Sequence, residues 1–102
     1  MAQLIDDVIN MLDFDSEHIK TDDSAKSKIN IIIENGKQHL RSFHPALTDE
    51  DFIRSTRARS LLFDYCRYAY SNATEQFDNN FAADILMLRQ EYEVKAYDSK
   101  YY

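Results

Sequence analysis

The chain has 102 residues, of which 44% are hydrophobic and 29% charged, a balance typical of one soluble globular domain and not of a disordered chain. It has one glycine and one proline, which favours a few long helices over the many tight turns of a β-sandwich or barrel. The net charge of −6 disfavours sequence-independent binding to nucleic acid. The single cysteine excludes an internal disulfide. No run of apolar residues approaches the ~20 residues of a membrane span.

Two amphipathic helices are predicted in the first half of the chain. Residues 2–12 carry apolar side chains at helical spacing, from Leu4 to Leu12. After the polar stretch 13–20, a second helix is predicted over residues 22–42, with N-cap oxygens offered by Thr21, Asp22 and Asp23. The apolar stripe of this helix consists of Ile29, Ile32, Ile33, Gly36, Leu40 and Phe43.

Gly36 lies on the apolar stripe of the second helix. A glycine inside a helix costs about 1 kcal/mol relative to alanine. One explanation is that another helix approaches closely at this position. The other is that the helix simply tolerates a glycine, and the sequence does not separate the two.

Pro45 interrupts the chain within residues 43–47, and Thr48 then caps a third helix that is predicted to run to about residue 73. Its apolar residues fall on two sides. Phe52, Leu62 and Cys66 belong to the first side, and Leu61, Tyr65 and Tyr68 form the second. A helix that is apolar on two sides is central in its fold or contacts a partner.

A fourth helix is predicted over residues 80–94, after a break at residues 78–80. Phe81, Ile85, Leu88 and Tyr92 form its core stripe, whereas Leu86 and Met87 lie off that stripe. Residues 95–102 show no periodicity and are interpreted as a flexible, extended tail. The predicted fold class is therefore all-α: a bundle of about four helices in residues 1–94, with mobile loops and a C-terminal tail.

Catalytic groups are scarce. His18, His39 and His44 show no metal-ligand spacing. Cys66 falls on an apolar helix face without a neighbouring base, which is typical of a small core residue and not of a nucleophile. No glycine-rich loop is present to bind phosphate. The sequence predicts that the protein is not an enzyme and uses no cofactor or metal.

Four arginines lie on the third helix, as basic residues do on the recognition helix of DNA-binding proteins. They point in different directions, however: Arg54 and Arg57 are neighbours, and Arg59 and Arg67 point elsewhere. Arg59 falls beside Phe63 near the apolar face. It is expected to pair with a carboxylate from another helix or another subunit. Alternatively, its aliphatic carbons pack against the protein while the guanidinium group stays in water.

The last eight residues contain Tyr97, Tyr101 and Tyr102. Tyrosine is enriched at interfaces because it buries a large ring and keeps a hydroxyl for hydrogen bonding. An extended segment of this length reaches roughly 26 Å. Docking of the segment into a neighbouring protein is the favoured interpretation, and a frayed chain end is the alternative.

Three segments together resemble a known family. They are RARSLLFDYCRYAYSNATEQFDNNFAADILMLRQEYEV at 57–94, LIDDVINMLDFD at 4–15 and INIIIENGKQHLRSF at 29–43. In helix order, spacing and aromatic positions the chain is similar to head–tail connector proteins of tailed bacteriophages, in particular the short head completion proteins of siphophages. The resemblance covers nearly the whole chain and contains no catalytic signature.

The resemblance implies a structural virion protein that is monomeric alone and assembles as a ring, commonly of twelve subunits, beneath the portal protein. Such a ring extends the channel through which double-stranded DNA passes without specific binding. It also provides the docking surface for the next connector, often a stopper. The expected location is the head–tail interface of the virion and, during assembly, the host cytoplasm, with no contact with a membrane.

Site residues follow from this resemblance and from residue type. The tail, with Tyr97, Tyr101 and Tyr102, is the candidate portal-binding segment. Stretches 13–20 and 43–47 are candidates for ordering on assembly. The candidate contacts between ring subunits are Arg54, Leu61, Tyr65, Tyr68, Leu86 and Met87.

Two other functions are compatible with the sequence. A small helical DNA-binding regulator would explain the arginines on one helix, and it predicts salt-dependent affinity for DNA. A helical interaction module of unrelated origin would have the same fold and a different protein partner.

Overall fold

A computed structural model describes residues 2–12, 22–54 and 56–101, and the side chains of 4–10, 22–54 and 57–95 among them. The described residues form helices and contain no β-strand: α1 (Ala2–Leu12), α2 (Asp23–Arg41), α3 (Asp51–Arg54), α4 (Thr56–Tyr70), α5 (Phe77–Asn80) and α6 (Ala82–Tyr101), with a 3-10 turn at Thr74–Gln76. The predicted all-α class is confirmed. The molecule is elongated, with extents of 49 × 27 × 17 Å.

The starts of α2 and α3 are fixed by side-chain caps. Asp22 accepts hydrogen bonds from the backbone N–H groups of Ser24 and Ala25, at 2.9 and 3.2 Å. Thr48 and Asp51 form a reciprocal capping box, in which the Asp51 carboxylate accepts from the Thr48 N–H at 2.8 Å and the Thr48 hydroxyl accepts from the Asp51 N–H at 3.4 Å. Both caps agree with the sequence prediction because a cap depends only on neighbouring residues.

The predicted third helix, residues 48–73, corresponds to two helices, α3 and α4, and the second of them ends before residue 73. Asn72 adopts a left-handed conformation, with φ of 56°. The N–H of Ala73 donates to the Tyr68 carbonyl at 2.8 Å, and the N–H of Asn72 donates to the Ala69 carbonyl at 3.1 Å. These two hydrogen bonds form a Schellman motif, so α4 ends at Tyr70.

The last helix is much longer than predicted. It runs from Ala82 to Tyr101, so the prediction of an extended tail from residue 95 is wrong. Residues 78–80, predicted as a break, belong to α5. No glycine or proline lies between residues 82 and 101, and the Lys95 Nζ lies 3.8 Å from a Glu91 carboxylate oxygen one turn earlier, a pair that favours helix.

The core surrounds α4, which packs against α1, α2, α3 and α6. Ala58, Leu61, Leu62 and Cys66 of this helix are all buried. The sequence left two explanations for the two apolar sides of this helix, a central position or contact with a partner, and the central position is confirmed. Helix α1 contributes Leu4, Ile5, Val8 and Ile9 to the same core, which stabilises a helix too short to persist alone.

Gly36 lies where α2 crosses α4. A Cβ atom added there would lie 2.8 Å from the Leu62 Cδ1 and 2.8 Å from the Tyr65 Cδ1. The close approach of another helix, one of the two explanations for this glycine, is confirmed. A glycine at this point allows the two helices to pack at short range.

Candidate interaction surfaces

The side of α6 opposite the core carries exposed apolar residues. Leu86 is 51% exposed, Met87 49% and Val94 60%, and Gln90 lies between them and is also exposed. We call Leu86, Met87, Gln90 and Val94 the α6 outer face. Part of it is a shallow depression between Leu86 and Val94.

Helical geometry explains this second apolar side. Ile85, Leu88 and Tyr92 are buried and attach α6 to the core. At 100° per residue, Gln90 lies about 180° from the centre of that buried stripe, and Leu86 and Val94 lie about 40° to either side of Gln90. The core formed by the described residues lies on the other side of the helix and leaves these residues exposed.

An open groove lies between α2 and α4. Its apolar residues are Ile31, Ile32, Tyr65 and Ala69, its polar margin includes Asp23, Lys28 and Asn72, and its volume is about 850 Å³. We call this the α2–α4 groove. Ile31 is 61% exposed, so this surface also presents apolar area to solvent.

The residues predicted as subunit contacts are in three different environments. Leu61 is 2% exposed, so its prediction as a contact residue is wrong: it packs in the core between the helices. Tyr65 and Tyr68 are half-buried. Arg54, Leu86 and Met87 are exposed and remain candidates for contact with a partner.

Tyr65 and Tyr68 belong to a cluster of aromatic rings. Phe77 is buried at its centre, with ring centroids 5.4 Å from Tyr65 and 6.0 Å from Tyr68 in edge-to-face geometry. The Tyr68 ring also lies 5.4 Å from Phe81, and its hydroxyl accepts a hydrogen bond from Asn80 at 3.0 Å. Much of each tyrosine therefore stabilises the monomer, and only the remaining area is available to a partner.

The side chains of Tyr97 and Tyr101, and all of Tyr102, lie outside the described residues. Stretch 13–20, predicted to order on assembly, also lies outside them. The backbone at positions 97 and 101 is helical. Tyr97 and Tyr101 therefore belong to a helix and not to an extended strand that could reach roughly 26 Å.

Each arginine of the third predicted helix has a carboxylate partner. Arg54 pairs with Glu50 at 2.9 Å and Arg57 with Glu91 at 3.4 Å. Arg67 pairs with Asp64 one turn earlier. Each of these three guanidinium groups therefore has a carboxylate beside it, which would compete with a DNA phosphate for the positive charge.

Arg59 has the partner that the sequence predicts. Its guanidinium Nη2 lies 2.6 Å from a carboxylate oxygen of Asp7 in α1, and its Cζ lies 4.6 Å from the centre of the Phe63 ring. The expected pairing with a carboxylate from another helix is confirmed. The pair is part-exposed, and its role is to tie α1 to α4.

A charged cleft of about 480 Å³ lies between α4 and α6, lined by Arg57, Asp64, Asp84, Glu91 and Lys95 among others. Burial raises the pKa of the Asp64 carboxyl above its usual range. Arg57 and Lys95 each lie within 4 Å of carboxylates in the cleft. Among the described residues, no three His, Cys, Asp or Glu side chains converge to hold a metal ion.

The two described histidines act as links between elements. The Nε2 of His39 lies 2.6 Å from the Asp78 carboxylate and so connects α2 to α5. His44 is buried, and its Nδ1 accepts the Ala46 N–H at 3.1 Å. Its Nε2 therefore carries the ring hydrogen and donates to Glu93 of α6 at 3.0 Å.

Cys66 is fully buried, as predicted for a core residue, and burial raises the pKa of its thiol to about 12. Such a thiol is not a nucleophile at neutral pH.

Sequence reasoning missed Lys37. Its side chain is 1% exposed, with Nζ 3.4 Å from a Glu34 oxygen and 3.6 Å from an Asp49 oxygen. The only available signal is its position, four residues after Ile33 and three before Leu40 on the apolar stripe of α2. Because lysine side chains are usually exposed, a buried lysine was not expected at this position.

Comparison of the chain with protein-family models, with curated proteins and with solved structures finds no match. None of the helices in the described part of the chain is long and apolar enough to cross a membrane.

Proposed function

We propose that the chain is a structural virion protein of a tailed bacteriophage, a head completion or head–tail connector protein. In this role, copies assemble as a ring beneath the portal protein, extend the DNA channel and provide the docking surface for a stopper or tail protein. The protein is not an enzyme and needs no cofactor. It acts at the head–tail interface of the virion after synthesis in the host cytoplasm.

The observation that carries this proposal is a pair of unlike apolar surfaces on one small chain. The α6 outer face is the exposed side of a single helix, whereas the α2–α4 groove lies between two helices. A closed ring uses heterologous contacts, in which two different surfaces of each subunit meet. An adaptor ring needs this pair, whereas a lone globular domain does not.

Two further features support the proposal. The resemblance to connector proteins in helix order and aromatic spacing covers nearly the whole chain. The net charge is −6, and a negative balance suits a protein that DNA must pass without adhering.

The alternative of a DNA-binding regulator finds less support. Its basis was the set of arginines on one helix, and Arg54, Arg57, Arg59 and Arg67 each lie beside a carboxylate. Electrostatic binding to DNA requires cations that can displace counterions from phosphates. Fluorescence anisotropy with duplex DNA at low salt tests this alternative, and we expect no binding.

Co-sedimentation with the portal protein encoded by the same genome tests the proposal. We expect the free protein to remain in the supernatant and to sediment with the portal as a ring visible by electron microscopy. Failure of the wild-type protein to associate with the portal would refute the connector function.

Removal of residues 97–102 tests the portal-binding role of Tyr97, Tyr101 and Tyr102. The last described core residue of α6 is Tyr92, so we expect the truncated protein to keep its melting temperature within a few degrees and to lose portal binding. Unaltered co-sedimentation of this variant would assign portal binding to another surface.

A further inference from the structure

We propose that Met87 is a modification site, at which a hydroperoxide oxidises the thioether to a sulfoxide and Arg57 holds the new oxygen. This site is independent of the connector function, because the reaction needs only a free copy of the chain. It gives a residue of the α6 outer face a chemical reaction and gives the arginine beside it a specific role.

The sulfur of Met87 is accessible and has a hydrogen-bond donor beside it. The residue is 49% exposed on α6. The Arg57 guanidinium of α4 donates a hydrogen bond to the sulfur, with Nη1 3.7 Å from Sδ. A thioether sulfur is a weak acceptor and has a second lone pair, so it can accept from Arg57 and still react with an oxidant.

Arg57 is held against α6 by carboxylates one turn to either side of Met87. Its Nη1 lies 3.8 Å from an Asp84 oxygen and its Nε lies 3.4 Å from a Glu91 oxygen. Asp84, Met87 and Glu91 are spaced three and four residues apart, so they share one face of the helix. A guanidinium has several N–H donors in one plane, which allows it to bind these carboxylates and also to donate to an oxygen on Met87.

The reaction transfers one oxygen atom from the hydroperoxide to the sulfur. A lone pair of the Met87 thioether attacks the nearer peroxide oxygen, and the S–O bond forms as the O–O bond breaks. The leaving hydroxide takes the proton of the transferred oxygen and becomes water. The sulfur is oxidised by two electrons and the peroxide is reduced by them, so hydrogen peroxide yields the sulfoxide and water.

The sulfoxide oxygen is a polar acceptor where the thioether was nearly apolar. Methionine has several rotatable bonds, so a turn of the side chain brings the new oxygen against the guanidinium that donates to the sulfur. Hydrogen bonds from charged nitrogen donors are about 2.7–2.9 Å long. The Nη1–Sδ distance of 3.7 Å fits a bent S–O···H–N arrangement of that length, so Arg57 stabilises the oxidised residue.

The position of Met87 determines what the oxidation does to the fold. Methionine oxidation disrupts proteins when it places a polar oxygen in a packed core. Met87 lies outside the core, to which α6 contributes Ile85, Leu88 and Tyr92. Oxidation here strengthens the link between α4 and α6 and makes part of the α6 outer face polar. Sulfoxide reductases reverse the reaction, so the change can be undone.

Peptide mapping after treatment with dilute hydrogen peroxide locates the oxidation. The chain has three methionines, and trypsin places Met87 in the peptide 68–89 and the other two in the peptide 1–20. Because susceptibility follows exposure, we expect the peptide 68–89 to gain one oxygen in the folded protein within ~3-fold of its rate in the urea-unfolded protein. Oxidation slowed ~10-fold or more by folding would show that the sulfur is shielded and would overturn the proposal.

A matched variant tests the role of Arg57. The double substitution Met87→Leu and Leu86→Met keeps the same side chains and moves the methionine to a position that is 51% exposed, against 49% at Met87. Leu86 lines the depression beside Arg89, whereas Arg57 lines the cleft between α4 and α6. The other two methionines are common to both proteins, so their oxidation affects both alike.

Melting temperatures before and after complete oxidation are compared in the two proteins. We expect oxidation to lower the melting temperature of the double variant by a few degrees more than that of wild type, because only the wild-type sulfoxide meets a guanidinium. Equal shifts in the two proteins would overturn the proposal.

Replacement of the arginine provides the second test. Arg57→Leu removes the donors and keeps apolar bulk at a side chain that is 33% exposed. In this background we expect the advantage of oxidation at position 87 over position 86 to disappear. An advantage of unchanged size would show that something other than Arg57 accommodates the sulfoxide, and the comparison of wild type with the double variant stands even if this substitution prevents folding.

Discussion

At the residue scale, Lys37 shows how the fold can bury a charge beneath exposed partners. Its side chain is 1% exposed, whereas the side chains of Glu34 and Asp49 are 62% and 65% exposed. The two carboxylates are solvated and lose little when the lysine is removed. The lysine bears most of the desolvation cost, which its ion pairs must offset.

Substitution of Lys37 separates packing from charge. We expect Lys37→Met to keep the free energy of unfolding within about 1 kcal/mol of wild type, because a buried ion pair is often replaced by an apolar group without loss. Lys37→Ala removes the packed stem and should cost about 2 kcal/mol or more. Urea denaturation measures both, and equal losses in the two variants would show that the charge itself stabilises the fold.

Asp49 provides a pH-dependent contribution. Its hydrogen bond from Arg41 and the nearby Lys37 charge hold the pKa of its carboxyl below the usual range. A carboxyl with a lowered pKa stabilises the fold above its unfolded pKa of about 3.9, and this contribution is lost as the pH falls through the folded pKa. The side chain is 65% exposed, so the contribution is small.

We therefore expect Asp49→Asn to lower the urea midpoint slightly at neutral pH and to match wild type at about pH 2. Wild type measured at each pH is the control, because general acid effects then cancel. A difference of the same size at both pH values would attribute the effect to something other than ionisation.

Cys66 reports on the integrity of the core. Because burial raises the pKa of its thiol to about 12 and the side chain is fully enclosed, we expect a thiol reagent to react at least ~100-fold more slowly with the folded than with the urea-unfolded protein. Absorbance of released thionitrobenzoate measures the rate. Fast, complete reaction of the folded protein would contradict the packing of α4.

At the element scale, the crossing of α2 and α4 depends on Gly36. We expect Gly36→Ala to lower stability by about 1 kcal/mol, because the clash with Leu62 and Tyr65 outweighs the gain in helix propensity. Asn35→Ala, at an exposed neighbouring position, should instead be neutral or stabilising. Thermal melts of both variants decide between crowding and propensity, and a stabilised Gly36→Ala would exclude the crowding.

Some helix ends could be predicted from neighbouring residues and others could not. The cap at Thr48 was predicted, and Asp22 was one of three candidate caps for α2, because an N-cap needs only nearby donors and acceptors. The end of α4 at Tyr70 was missed, although Asn72 can adopt the left-handed conformation that ends a helix. The end of α6 was misjudged because residues 95–101 continue no core stripe, and helix formation does not require one.

At the scale of the whole molecule, the exposed apolar residues are spread over α2, α3 and α6. None of these surfaces is large enough to hold two copies together alone. We therefore expect the isolated protein to be a monomer of 12.0 kDa in light scattering at micromolar concentration. A stable dimer or larger oligomer without the portal would contradict this expectation.

Some properties of this protein were determined by its sequence alone. The all-α class, the helix caps and the apolar period of each helix depend on neighbouring residues, whose spacing fixes which side chains share a face. For Arg59 the sequence predicts either a carboxylate partner or a packed aliphatic stem with the guanidinium in water, and the tertiary structure decided for the pairing with Asp7.

Only the tertiary structure decided which apolar residues remain uncovered. Leu61 and Leu86 are both leucines that lie off a predicted core stripe, yet Leu61 is 2% exposed and Leu86 is 51% exposed. The difference arises because α4 has neighbouring helices on several sides and α6 lies at the edge of the bundle. Periodicity shows that a helix has a second apolar side, but the positions of the other helices determine whether that side is core or surface.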